Sequence, residues 1–193
     1  MDALLSAMAE HGYEGASIQA IARRAGLAPG LIHYHFASKQ EILLEAIRQL
    51  TALVDQRFQA LARRAATPRD RLRAFIDARL ARGEGASPAA VAAWVIVGAE
   101  AVRQPEVKAA YQEVMRAQRA LLETLVRDHA GEALTAREAQ HLCGIVLAAI
   151  EGAFQLSVSA QDVMPRDYAA RTLMALIESR IRGGPPRAGR RHA

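Results

Sequence analysis

Residues 17–36, SIQAIARRAGLAPGLIHYHF, constrain this chain more than any other stretch. Two short helical patterns are joined there by a tight Gly26-Leu27-Ala28 connection, with Pro29 just inside the second. Gly26 supplies the positive φ that such a turn needs. The spacing is that of a helix-turn-helix, in which one helix enters the DNA major groove while another braces it from behind.

A helical-wheel reading at about 100° per residue separates the two faces of the second pattern. Ile32 and Phe36 share an inward apolar face, while Gly30 and Tyr34 lie opposite, flanked by Leu31 and His33. Ile18, Ile21 and Ala22 give the bracing helix its apolar stripe, with Leu27 joining from the turn and Leu4, Leu5 and Met8 closing a miniature core. On the outward face, Gly30 lets the backbone approach DNA closely, and Leu31 offers an apolar contact to a thymine methyl. Tyr34, His33, His35, Lys39 and the N-capping Ser17 can donate to phosphate oxygens. With Ala28 and Pro29 at the turn, these are the candidate DNA-contacting residues. Bulk charge does not argue for DNA: the net +5 equals the five arginines of residues 180–193, a stretch without acids.

The remaining punctuation is also helical. Ser17, Ser38, Thr67, Ser87 and Thr135 stand as N-caps, and Ser38–Glu41 and Thr135–Glu138 read as complete capping boxes. Pro68, Pro88, Pro105 and Pro165 fall at first-turn positions, and Gly12, Gly26, Gly83 and Gly131 at stops. These signals predict helices over 2–11, 18–25, 29–35, 39–64, 68–82, 88–103, 106–129, 136–159 and 166–182. No period-2 run survives between them, so the expected class is all-α with about nine helices. The expected organisation is a helix-turn-helix unit over 1–45, a bundle over 46–182 and a disordered Gly/Pro/Arg tail over 183–193.

The run from Gly12 to Leu44 resembles the N-terminal domain of the TetR family of bacterial transcriptional regulators. Gly12-Tyr13, Ser17, Ile21-Ala22, Ala25-Gly26, Gly30, Phe36 and Lys39 stand at that family's signature positions. The resemblance implies a homodimeric regulator, a repressor released from a palindromic operator when a small apolar or cationic molecule binds the bundle. It carries a DNA-contacting role onto Ser17, Leu31, His33, Tyr34, His35 and Lys39. Two positions depart from the pattern: Ala28 replaces the usual Ser or Thr, and His35 a common Tyr. The chain also starts inside the family's first helix without the usual basic residues, so either the start lies upstream or phosphate contacts matter less.

In the bundle the resemblance implies an effector pocket, for which Phe75, Val91, Trp94, Val95, Gly98, Tyr111 and Met115 are candidates. The segment around Trp94 is similar to the choline-responsive BetI-like branch, and aromatics there can receive a quaternary ammonium by cation–π contact. Residues 139–160 form a very apolar helix with two faces. Leu142, Ile145, Ala149 and Ala153 suit the core, and Gly144, Ala148, Glu151 and Gln155 form a second, small-residue face. With Tyr168, Leu173 and Ile177 of the following amphipathic helix, that face predicts a two-fold four-helix interface. Glu151 is expected at the interface, the alternative being a pocket anchor for a cation.

No catalytic residue, metal or cofactor is expected. Glu138-x-x-His141 lacks the second motif a di-iron site requires. The pairs His33/His35 and His141/Cys143 diverge by about 200° on a helix. The alternative function is a helical small-molecule-binding protein or enzyme with a vestigial helix-turn-helix. One cysteine and no signal-like N-terminus suit the cytoplasm, and no membrane partner is expected.

Overall fold

The computed structural model of the chain describes residues 12–13, 15, 17–26, 28, 30, 34, 36–81 and 86–183, the side chains of residues 18, 24 and 25 excepted. Among these residues there are seven α-helices, not about nine, and no strand. They are α1 (Ile18–Ala25), α2 (Lys39–Ala62), α3 (Pro68–Leu80), α4 (Pro88–Arg103), α5 (Pro105–Ala130), α6 (Ala136–Ser159) and α7 (Tyr168–Arg182), with a 3-10 turn over Gly131–Ala133. The helix expected over 2–11 lies outside the described residues. Of that expected over 29–35, only residues 30 and 34 are described, both helical. The tail from residue 184 and the stop at Gly83 also lie outside them.

Local chemistry sets the helix starts. Ser17, Ser38, Thr67 and Ser87 each accept a hydrogen bond at 3.1 Å from the backbone N–H three residues on, and Thr135 accepts one at 3.3 Å. Thr135–Glu138 is a reciprocal capping box, and so is Thr67–Asp70, which the sequence pattern marked only as a cap. Ser38–Glu41 closes differently: the Glu41 carboxylate accepts from Ala37 N–H at 2.8 Å rather than from Ser38. Pro68, Pro88 and Pro105 each open a helix, where their missing N–H costs nothing. Pro165 does not, because Asp167 takes a left-handed φ of 54° and α7 starts only at Tyr168. Gly26 ends α1 at φ 65°, its N–H bonding back to Ala22 and Arg23 carbonyls.

Two apolar clusters form the core. The first joins Ile21 and Ala22 of α1 to Ile42, Leu43 and Ile47 of α2, and to Trp94 and Val97 of α4. The second joins Phe58 of α2 and Phe75 of α3 to Leu122, Val146, Ile150 and Ile177. The helix α2 belongs to both. At 24 residues it is a rod of about 36 Å that starts under α1 and ends beside α3. The expected boundary after residue 45 lies within this helix, which joins the two clusters as one rod.

The helix α6 is long and apolar enough to cross a membrane by length and composition alone. Here Ala139, Cys143, Val146, Leu147 and Ile150 are buried in the second cluster, as in the core helix of a bundle.

Candidate functional site

The helix-turn-helix surface is backed by fully packed side chains. Ile21 and Ala22 are buried, and Phe36 packs against the same cluster. On the other side Ser17, Ala28 and Gly30 are exposed, and the Tyr34 side chain is 83% exposed. Lys39 is half-buried, its ammonium 4.3 Å above the Tyr13 ring, so part of its charge is spent holding the α2 start against the preceding segment. The candidates Pro29, Leu31, His33 and His35 lie outside the described residues.

In the bundle, three side chains from three helices meet at a carboxylate. Glu151 of α6 accepts from Trp94 Nε1 of α4 at 3.0 Å and from the Tyr111 hydroxyl of α5 at 3.0 Å. The two rings stack with centroids 5.1 Å apart, and the Tyr111 ring lies beside Gly98, one turn after Trp94. Burial pushes the Glu151 pKa up, while the bonds from Trp94 and Tyr111 and the charge of Arg79 oppose the rise. Tyr111 is pushed well up, first by burial and then by the neighbouring Glu151 charge.

Beside this triad lies a cavity of about 740 Å³, bounded by α2, α3, α4, α6 and the segment before α7. Val91 and Trp94 line it, together with Arg57, Arg79, Gln118 and Phe154. The other pocket candidates need correction. Phe75 is fully buried beneath the Arg79 guanidinium, which sits 3.5 Å above its ring. Val95, Gly98, Tyr111 and Met115 are not in the cavity wall; Tyr111 is turned instead toward Glu151. Residues of α2, α3 and the segment before α7 complete its wall, which periodicity within α4 and α5 does not reveal.

The arginines are what sequence reasoning missed. Arg79 follows Leu72 by seven residues and Phe75 by four, so it continues the inward stripe of α3, and that spacing was the available signal. It is only 6% exposed; Nη1 donates to the Phe75 carbonyl at 3.0 Å and Nε to Gln118 at 3.4 Å. Burial lowers its pKa to about 10, and Asp55 and Glu151 act against the fall, so it stays cationic at neutral pH. Arg57 reaches from α2 to the C-terminal end of α3, donating to the carbonyls of Ala78 at 3.1 Å and Ala81 at 2.6 Å.

The expected interface set divides in two. Gly144, Ala148 and Gln155 are exposed. Leu173 and Ile177 are buried in the second cluster and so are core rather than surface, while Tyr168, half-buried, lines the cavity and Glu151, half-buried, bonds Trp94 and Tyr111. The inward face of α6 runs through Cys143, Val146, Leu147 and Ile150, rotated from the face expected. Ile145 and Ala149, assigned to the core, are accordingly outside: Ile145 is 70% exposed, alongside Leu176 of α7 at 62%.

A short capped helix joined through one long helix to a cavity-bearing bundle fits a helical transcriptional regulator, and comparison with known proteins agrees. Residues 1–46 match the bacterial regulatory proteins of the tetR family, and residues 68–182 match the BetI-type transcriptional repressor C-terminal domain. The HTH-type transcriptional regulator BetI of Escherichia coli O17:K52:H18 is 34% identical over 154 residues, 78% of this chain and 75% of that protein. BetI of Rhizobium meliloti is 36% identical over 108 residues, 56% of this chain and 53% of that protein; the chain spans about half the length of the first such relatives it matches. Among solved structures, a transcriptional regulator of Rhodococcus sp. Rha1 superposes with a TM-score of 0.80 at 24% identity, covering 94% of each chain. A regulator of Saccharomonospora viridis in complex with choline superposes at 0.73 and 23% identity, covering 94% of this chain and 95% of that one. At these identities the structural likenesses speak for the fold alone. The chain belongs to the TetR family of bacterial transcriptional regulators. That is a family of regulators, which sets aside the enzyme alternative.

Proposed function

We propose that the chain is a cytoplasmic, homodimeric repressor that binds a palindromic operator through α1 and the segment carrying Gly30 and Tyr34. In this reading it is released when a small organic molecule fills the cavity beside Trp94. The observation that carries the reading is the exposed Tyr34 above the buried Ile21 and Ala22: a polar reading face held on a packed base. Ser17, Gly30 and Lys39, with residues 28, 29, 31, 33 and 35, are the proposed DNA contacts.

The proposed twin lies across α6 and α7, where Gly144, Ala148, Ile145 and Leu176 leave a small-residue and apolar face exposed. Two copies joined there place two reading segments on one side of the duplex, about 34–36 Å apart for successive major grooves.

Coupling runs through α2. Its N-terminal half shares a core with α1 and with Trp94, and its later residues Thr51, Val54 and Arg57 line the cavity. A ligand that favours one position of α2 therefore moves the reading segments, whereas one that binds both positions equally shifts nothing. Choline in the Saccharomonospora viridis regulator supports a small organic effector in this fold. A gel shift against the DNA upstream of the chain's own gene tests the proposal. Nanomolar, salt-sensitive retardation supports it, and no retardation by any fragment of that region overturns it.

A further inference from the structure

The electrostatics of the cavity wall decide what kind of effector fits. Two guanidinium groups line it, and both donate their hydrogen bonds to neutral oxygens. Arg57 is bound to the Ala78 and Ala81 carbonyls, and Arg79 to the Phe75 carbonyl and the Gln118 amide oxygen. No carboxylate among the described residues forms an ion pair with either. Asp55 and Glu151 act on Arg79 only across space. Asp162, Arg166 and Asp167 also border the cavity, but all three are exposed at its rim.

Arg79 is more than nine-tenths buried, yet its Nη2 makes no hydrogen bond with the described residues. It is not a sealed, unpartnered atom either, since no such side-chain nitrogen or oxygen exists among them. Arg79 also lines the cavity. A desolvated cation without an anion is costly, and a carboxylate arriving with a ligand removes that cost.

The quaternary-ammonium reading fares worse on the same wall. One face of Trp94 is covered by Tyr111, and Glu151 is already satisfied by two donors and is not part of the lining. Past the exposed rim, where Asp162 and Asp167 sit with Arg166, the charged side chains of the inner wall are Arg57 and Arg79.

We propose that the effector is an amphipathic monocarboxylate, its head group held by Arg79 and Arg57 and its apolar body laid along Leu50, Val54, Val91, Trp94 and Phe154. The cavity volume suits such a molecule, since small-ligand sites span about 300–1,000 Å³. The few donors left over suit a singly charged head better than a phosphate dianion. The head group also explains signalling: Arg57 lies on α2 and Arg79 on α3, so one anion bridging them sets how the two helices sit together. This inference rests on the cavity being the effector site.

Trp94 is the chain's single tryptophan and lines the cavity, so its fluorescence reports occupancy directly. The full chain is titrated with octanoate, octanamide, 4-phenylbutyrate, 4-phenylbutyramide and choline, and each is also added to the protein–DNA complex. The expected result is that each acid binds at least about tenfold tighter than its amide and releases DNA, while choline does neither. Arg57→Gln, at a half-buried position, is expected to erase most of the acid-over-amide preference; Arg79→Lys, which keeps the charge, retains part of it. Equal binding of acid and amide, preference for choline, or no response from Trp94 to any acid overturns the proposal. Those results leave the repressor reading standing if the same protein retards its upstream DNA. Loss of retardation itself strikes that reading instead.

Discussion

Trp94 Nε1 donates to the Glu151 carboxylate at 3.0 Å, a bond between α4 and α6 made where the cavity begins. The same indole belongs to the cluster that buries Ile21 and Ala22 beneath the reading surface. One side chain thus touches the cavity, a half-buried acid and the cluster that packs Ile21 and Ala22 of α1.

The acid in that bond makes stability depend on pH in a definite sense. Burial raises the native pKa of Glu151 above its ordinary value, so its contribution is complete below that ordinary value and is lost as pH rises through the native one. Glu151→Gln keeps an acceptor for Trp94 and Tyr111 but does not titrate. The stability of the native protein relative to this variant is expected to fall as pH rises above the ordinary carboxylate range, measured by urea unfolding at each pH. A constant difference contradicts the burial of an ionising group.

The Thr135–Glu138 capping box gives the opposite slope. The backbone N–H and hydroxyl of Thr135, and then Arg180, hold the Glu138 pKa down to about 2. Its contribution is present above the ordinary carboxylate range and is lost as pH falls toward 2. Thr135→Ala removes the cap and is expected to cost about 1 kcal/mol at neutral pH, with a shallower loss of stability on acidification. Thermal unfolding at several acidic pH values checks both.

At the reading surface the expectation is a loss of function without loss of fold. Tyr34 is 83% exposed, so Tyr34→Ala is expected to change stability by less than about 0.5 kcal/mol. Operator affinity is expected to fall at least about tenfold in an anisotropy titration. Unchanged affinity removes Tyr34 from the contact set.

Much of this was legible because it is local. The Ser17, Thr67, Ser87 and Thr135 caps and the Gly26 stop act over four residues, and each falls where the pattern put it. What was not legible depends on which neighbour a face meets. Ile145 and Ile150 are equally apolar on α6, yet one is 70% exposed and the other fully buried, because packing against the neighbouring helices α3, α4, α5 and α7 fixes the rotation. Glu151 looked like interface polarity until Trp94 and Tyr111 arrived from two other helices. Arg79 carries its own sequence signal, since its spacing from Phe75 and Leu72 places it on the inward stripe of α3.

The central claim is that two copies present their Gly30–Tyr34 segments at a groove-matched separation on one face of DNA. Hydroxyl-radical footprinting of the retarded fragment measures that separation directly. The account predicts two symmetric protected patches on one face, centred about one helical turn, 10–10.5 base pairs, or a whole multiple of it apart. A single unsymmetric patch, or patches on opposite faces of the duplex, contradicts it.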